Sequence, residues 1–188
     1  MQIQGPTDRS QSHEDHYFQR VEVERRRNEE AVRERAELAR EAALDDDEAI
    51  DAMIAAGITR ASLPAIEWAP LVFVAWADGA VQPDERDSIL RIAEGDGVPP
   101  SHPSHALLRS WLDRRPNDGL LSAWQRYLEA VGRSEDEDSR GIRADWLRTR
   151  TREVAEASGG WMGFGKVSRD EGAVLLEVAR VMHRSGIA

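Results

Sequence analysis

Three observations predict an all-α fold. Residues 14–44 are dense in Glu, Arg and Ala and hold no Gly or Pro, which is helix-forming composition. The one apolar run that reads as a buried strand, Val72-Phe73-Val74, has no second strand to pair with. Clusters of proline and glycine mark loops at 95–103 and 159–165, and the segments between them carry apolar residues at helical spacing.

The elements follow in order. Residues 1–13 are polar, carry Gly5 and Pro6 and show no period, so they are expected to form a disordered tail. From Glu14 to Leu44, charges fall at helical spacing, as in Glu22 to Arg26 and Glu29 to Arg33, and exposed pairs of this kind support a helix. Its apolar residues are few (Tyr17, Phe18, Val21, Val32, Leu38) and make no a/d stripe over three heptads. Residues 14–44 are therefore expected to be a charged helical arm that docks locally or holds a partner. Asp45, Asp46 and Asp47 supply an N-cap and first-turn negative charge for a helix ending before Gly57. A short segment over 61–68 comes next. Pro70 suits a first helical turn, and Ala75 and Ala77 favour continuing the run Leu71 to Ala77 as helix.

Helices are then predicted over 83–94, 104–114 and 117–131. The acidic run 134–139 caps a long helix reaching about Ser158, and a last helix runs from beyond Ser168 to His183. Leu71, Val74, Ile89, Leu108, Trp124, Trp146, Leu147 and Val178 fall on faces that make one core, so 45–188 is read as one all-α domain. Six tryptophans are large anchors, each able to bury on the order of 200 Å².

Composition removes several functional classes. The chain has 188 residues, a net charge of −10 and no cysteine. Disulfides, a thiol nucleophile and thiolate metal sites are thereby excluded. Acidity argues against nucleic acid as a partner, since phosphate affinity is carried by basic surface. The longest apolar run, Ala69 to Ala77, has nine residues where a membrane-spanning helix needs roughly 20, so no integral membrane segment is expected. The first residues lack the basic and apolar regions of a signal peptide, and a cytoplasmic location is expected.

One unit occurs twice. Asp78-Gly79-Ala80-Val81-Gln82-Pro83-Asp84-Glu85 aligns with Phe164-Gly165-Lys166-Val167-Ser168-Arg169-Asp170-Glu171 at an offset of 86 residues. Gly, Val, Asp and Glu coincide, and Ile89, Leu90, Ile92 and Ala93 meet Leu175, Leu176, Val178 and Ala179. The spacing suggests two similar halves about a pseudo-dyad. Trp76-Ala77-Asp78-Gly79-Ala80-Val81 with Asp84-Glu85 resembles the signature of the tellurite-resistance TerB-like family, and Gly165-Lys166-Val167-Ser168 with Glu171 is similar to its second signature. The resemblance covers about 58–188. It implies an all-α bundle of two pseudo-symmetric halves in a stress-associated context, and a divalent cation held by acidic residues. Carried onto this chain, the cation site would use Asp78 and Glu85, with Glu171 from the second unit. Phe164 stands where a second aspartate would be.

Each of these residues also has a plainer reading. Glu85 and Glu171 occupy the third helical position behind a cap, where a glutamate reaches back to the cap's N–H. Asp78 either closes an Asp-Gly turn or meets a cation. Gly160 to Lys166 spells G-x-x-x-x-G-K, but a phosphate loop needs Ser or Thr next, and Val167 is there. His13/His16 and His102/His105 lack the further ligands of a zinc site. No G-x-S-x-G, H-E-x-x-H or EF-hand pattern occurs, and no catalytic residue is nominated. The leading expectation is a non-catalytic helical module acting through a protein partner or self-association by its arm. The alternatives are a divalent-cation binder using Asp78 and Glu85, and a hydrolase whose carboxylates assemble from distant residues.

Overall fold

A computed structural model describes the backbone of residues 7–159 and 169–187, and the side chains of 19–154 and 172–187. The described residues form eight α-helices and one 3-10 segment, and no strand occurs among them. These are α1 (Thr7–Glu41), α2 (Asp47–Ala55), the 3-10 segment (Arg60–Trp68), α3 (Ala69–Ala75), α4 (Pro83–Gly95), α5 (Pro103–Asp113), α6 (Gly119–Ser134), α7 (Glu137–Gly159) and α8 (Arg169–Arg184). The all-α expectation is met.

The short helix α3 is the hub. All seven of its residues are buried, and it packs against the 3-10 segment and against α4 to α8. A helix apolar on every side is stable only inside a core, which is why Val72-Phe73-Val74 sits here as helix without a partner strand. Pro70 lies in its first turn, where a missing N–H leaves no bond unmade. Around this hub α2 packs on α6, α5 on the 3-10 segment, and α4 on α7. Trp124 and Leu147 are 1% exposed, and Trp111 and Trp68 are 3% exposed. Buried indoles need a partner for the ring N–H. Trp111 Nε1 donates to the Ala56 carbonyl and Trp76 Nε1 to the Trp111 carbonyl, both at 2.8 Å, which ties α5 to the ends of α2 and α3.

The predicted caps form largely as read. Asp46 is the N-cap of α2 and accepts from Ala49 N–H at 3.0 Å. Asp136 precedes α7 and accepts from Ser139 N–H at 2.8 Å. Hydrogen bonding to the anion holds the Asp136 carboxyl below its usual value. Ser134, expected within that cap, instead ends α6.

The arm departs from expectation at its start. Helix α1 begins at Thr7, within the stretch expected to be a disordered tail. Thr7 and Asp8 follow Pro6 as helix-starting residues, and nothing between them and Glu14 breaks a helix. Residues 1–6 lie outside the described residues. At 35 residues α1 is about 52 Å long. Among its described side chains, those of the last turns anchor it: Leu38 and the following Ala42 are buried in the core, while Arg35 pairs with Asp47 at 2.8 Å and Asp51 at 3.0 Å. Glu34 accepts from Arg60 N–H at 2.9 Å, fixing the arm to the start of the 3-10 segment. Between Gln19 and Arg33 every residue except the half-buried Glu22 is exposed. Glu22 and Arg26 pair at 3.1 Å as expected, whereas Glu29 pairs backwards with Arg25 at 2.7 Å instead of forwards with Arg33.

Candidate functional site

Of the residues nominated from the repeat, Asp78 lies on the α3–α4 connection and Glu85 in the first turn of α4. Gly79 has a φ of +97°, a conformation glycine adopts without strain, and Asp78 Oδ1 accepts from Ala80 N–H at 3.2 Å across that turn. Glu85 is 3% exposed, and its Oε2 accepts from Gln82 N–H at 2.7 Å, which is the reach-back half of a capping box. Asp78 and Glu85 thus satisfy backbone donors of their own connection. The Glu171 side chain lies outside the described residues, as do Gly160 to Ser168, and with them the second unit, the pseudo-dyad and the G-x-x-x-x-G-K run. Among the described residues no group of three or more His, Asp or Glu side chains is placed to hold a metal ion. His102 Nδ1 accepts from Ser104 N–H at 3.1 Å as a helix cap, and His105 faces Glu94 at 3.3 Å. The side chains of His13 and His16 are not among those described.

A concave site does form elsewhere. A cavity of about 460 Å³ opens between the 3-10 segment, the α4–α5 loop and the start of α7. Pro64, Trp68, Val98, Ile142 and Trp146 supply its apolar wall, with Glu67, Asp96, Glu135, Ser139 and Arg143 between them. Trp68 and Trp146 meet edge to face, with ring centroids 5.1 Å apart and planes at 89°. The aromatic wall is thereby set before anything binds.

Two arginines of α7 organise its polar groups. Arg143 is paired on one side with Glu67 and on the other with Glu135, whose Oε1 lies 2.6 Å from Arg143 Nη2. Burial by itself would lower the Arg143 pKa, yet the hydrogen bonds and charges of Glu135 and Glu67 outweigh it and raise the value. The Tyr127 hydroxyl donates to Glu67 at 3.4 Å, and burial followed by the Glu67 charge pushes that phenol above its ordinary range. Two turns along α7, Arg150 grips Asp96 at 2.5 and 2.9 Å, and Trp146 Nε1 donates to the same carboxylate at 2.7 Å. Hydrogen bonds donated to Asp96 and then to Glu153 raise the Arg150 pKa. Asp96 is held there because α4 ends at Gly95 and Gly97 turns the chain at a φ of +89°.

Ser139, Ile142, Arg143, Trp146 and Arg150 share one face of α7, spaced by three and four residues. That spacing was legible. Their partners Glu67 and Asp96 stand 76 and 54 residues upstream of Arg143 and Arg150, and only the fold brings them together. Trp146, expected in the core, is accordingly half-buried at the cavity wall.

Comparison with protein-family models, curated proteins and solved structures gives no match to the chain. Among the described residues, no single helix is long and apolar enough to cross a membrane.

Proposed function

We propose that the chain is a non-catalytic, TerB-like helical module that works by protein contact, with α1 as its contact element. The observation that carries this reading is the contrast within one helix. Residues 34–42 are locked to the bundle by Leu38, Ala42 and the Arg35 pairs, whereas residues 19–33 lie almost wholly in solvent. A helix polar all round is either a bridge between bodies or one sustained by its own ion pairs. Glu22, Arg25, Arg26 and Glu29 supply such pairs, so the arm holds its shape while keeping Val21, Val23 and Val32 exposed. The cavity supports contact over catalysis. The three carboxylates that line it, Glu67, Glu135 and Asp96, are each committed to an arginine. A stress-associated context is what the resemblance adds.

Photo-crosslinking of the full chain in its native cell tests the proposal. A reactive residue placed at Val21 or Val32 is expected to trap protein adducts that the same residue at Ile54, on the bundle, does not. An arm that traps no protein, its own chain included, would overturn the reading.

A further inference from the structure

Resting on that reading, we infer that the arm's partner is a second copy of this chain, and that the arm seats in the tryptophan-walled cavity at the start of α7. The arm presents a distinct face. Arg20, Val23 and Arg27 fall three and four residues apart, so an apolar residue stands between two guanidinium groups on one side of the helix. Val23 is 65% exposed. Neither Arg20 nor Arg27 has an ion-pair partner among the described residues, although Arg25 and Arg26 beside them are paired with Glu22. From Gln19 to Asn28 there are four arginines and two glutamates, so this stretch is basic in a chain whose net charge is −10.

The cavity presents the complement. Ile142 stands in its wall and is 72% exposed, an apolar group of the size and position to meet Val23. Beside it the chain is acidic: Glu135, in the lining, opens a run of four consecutive carboxylates to Asp138. Glu135 is taken by Arg143, but Asp138, one turn before Ile142 on α7, is exposed and has no ion-pair partner among the described residues. Free cations flank an exposed valine on one surface, and a free anion stands one turn from an exposed isoleucine on the other. The arrangement is a helix laid in a groove, with an apolar anchor and charges that set the register. Both surfaces belong to one chain, so two copies can exchange arms reciprocally about a two-fold axis. The paired cluster inside the cavity keeps Trp146 in place for the incoming helix.

The absence of cysteine makes a direct test available. Full chains carrying Val23→Cys and Ile142→Cys are mixed and mildly oxidised. A disulfide-linked dimer is expected, and none when Val23→Cys is mixed with Leu176→Cys, an exposed site on α8. In parallel, sedimentation of the full chain from micromolar to sub-millimolar concentration is expected to show a dimer. Ile142→Asp or Arg27→Glu should weaken it at least tenfold, and Asp138→Arg should restore the Arg27→Glu variant. These positions are exposed, and unchanged melting curves confirm that the variants fold. A chain monomeric throughout overturns the inference and leaves arm contact with another protein to be judged by photo-crosslinking. A dimer indifferent to Ile142→Asp, or cross-linking equally at Leu176→Cys, overturns it too.

Discussion

Replacing Arg143 by alanine would leave Glu67 and Glu135 flanking an empty position with no cation between them. Both carboxylates are about one-quarter exposed. The expected cost is therefore about 2–3 kcal/mol, below the 3–5 typical of breaking a fully buried pair. Denaturant melts check this, and a loss no greater than that of an exposed arginine such as Arg109 would contradict it. Tyr127 next to them adds a pH dependence. Its folded pKa is raised above 10.0 by burial and by Glu67, so its stabilisation is complete below that value and is lost as pH climbs through it towards the folded value. Tyr127→Phe should flatten the alkaline limb of stability against pH, and an unchanged limb would count against the burial argument. Glu85→Ala should cost roughly 1 kcal/mol as a lost cap. At this scale the capping glutamate and the Asp-Gly turn were legible, because both are local. The Glu67–Arg143–Glu135 cluster was not, because Glu67 stands 76 residues from Arg143 and leaves no short spacing to read.

At the scale of elements, the helices were legible from caps and apolar spacing to within a few residues. Helix α3 was the ambiguous one: seven apolar residues look alike as strand or core helix until something identifies their neighbours. The arm's start was misread because polar residues without Gly or Pro fit tail and helix equally well. Its anchoring rests on Leu38, fully buried between α1 and the bundle. Leu38→Ala is expected to cost about 2–5 kcal/mol and to free the last turns of α1, whereas Val32→Ala should stay within about 0.5 kcal/mol. Equal effects of the two in thermal melts would contradict this anchoring. A second element contact is tight. A Cβ on Gly132 would collide with the backbone carbonyl of Ser185, so Gly132→Ala should destabilise by about 1–3 kcal/mol through displacement of the tail after α8. A neutral Gly132→Ala would show that the α6–α8 approach is looser than described.

For the whole molecule, composition pointed correctly to one helical bundle with a charged arm, because burial and helix-forming content are summed properties of a chain. The concave site escaped that reading. Its wall draws on the 3-10 segment, a loop and α7, and only the packing of all three around α3 makes it concave. The proposed function by contact would likewise be a property of the assembled molecule, since an arm has meaning as an arm only once its root is fixed. Amide hydrogen exchange along α1 tests this most directly, first in the dilute chain and then in the complex captured through the arm. The account predicts slow exchange at residues 34–42 in both states. Residues 19–33 should exchange fast in the dilute chain and become protected in the complex. Protection of 19–33 equal to that of 34–42 in a dilute monomer would mean that the arm is already packed on its own bundle, and would contradict the account.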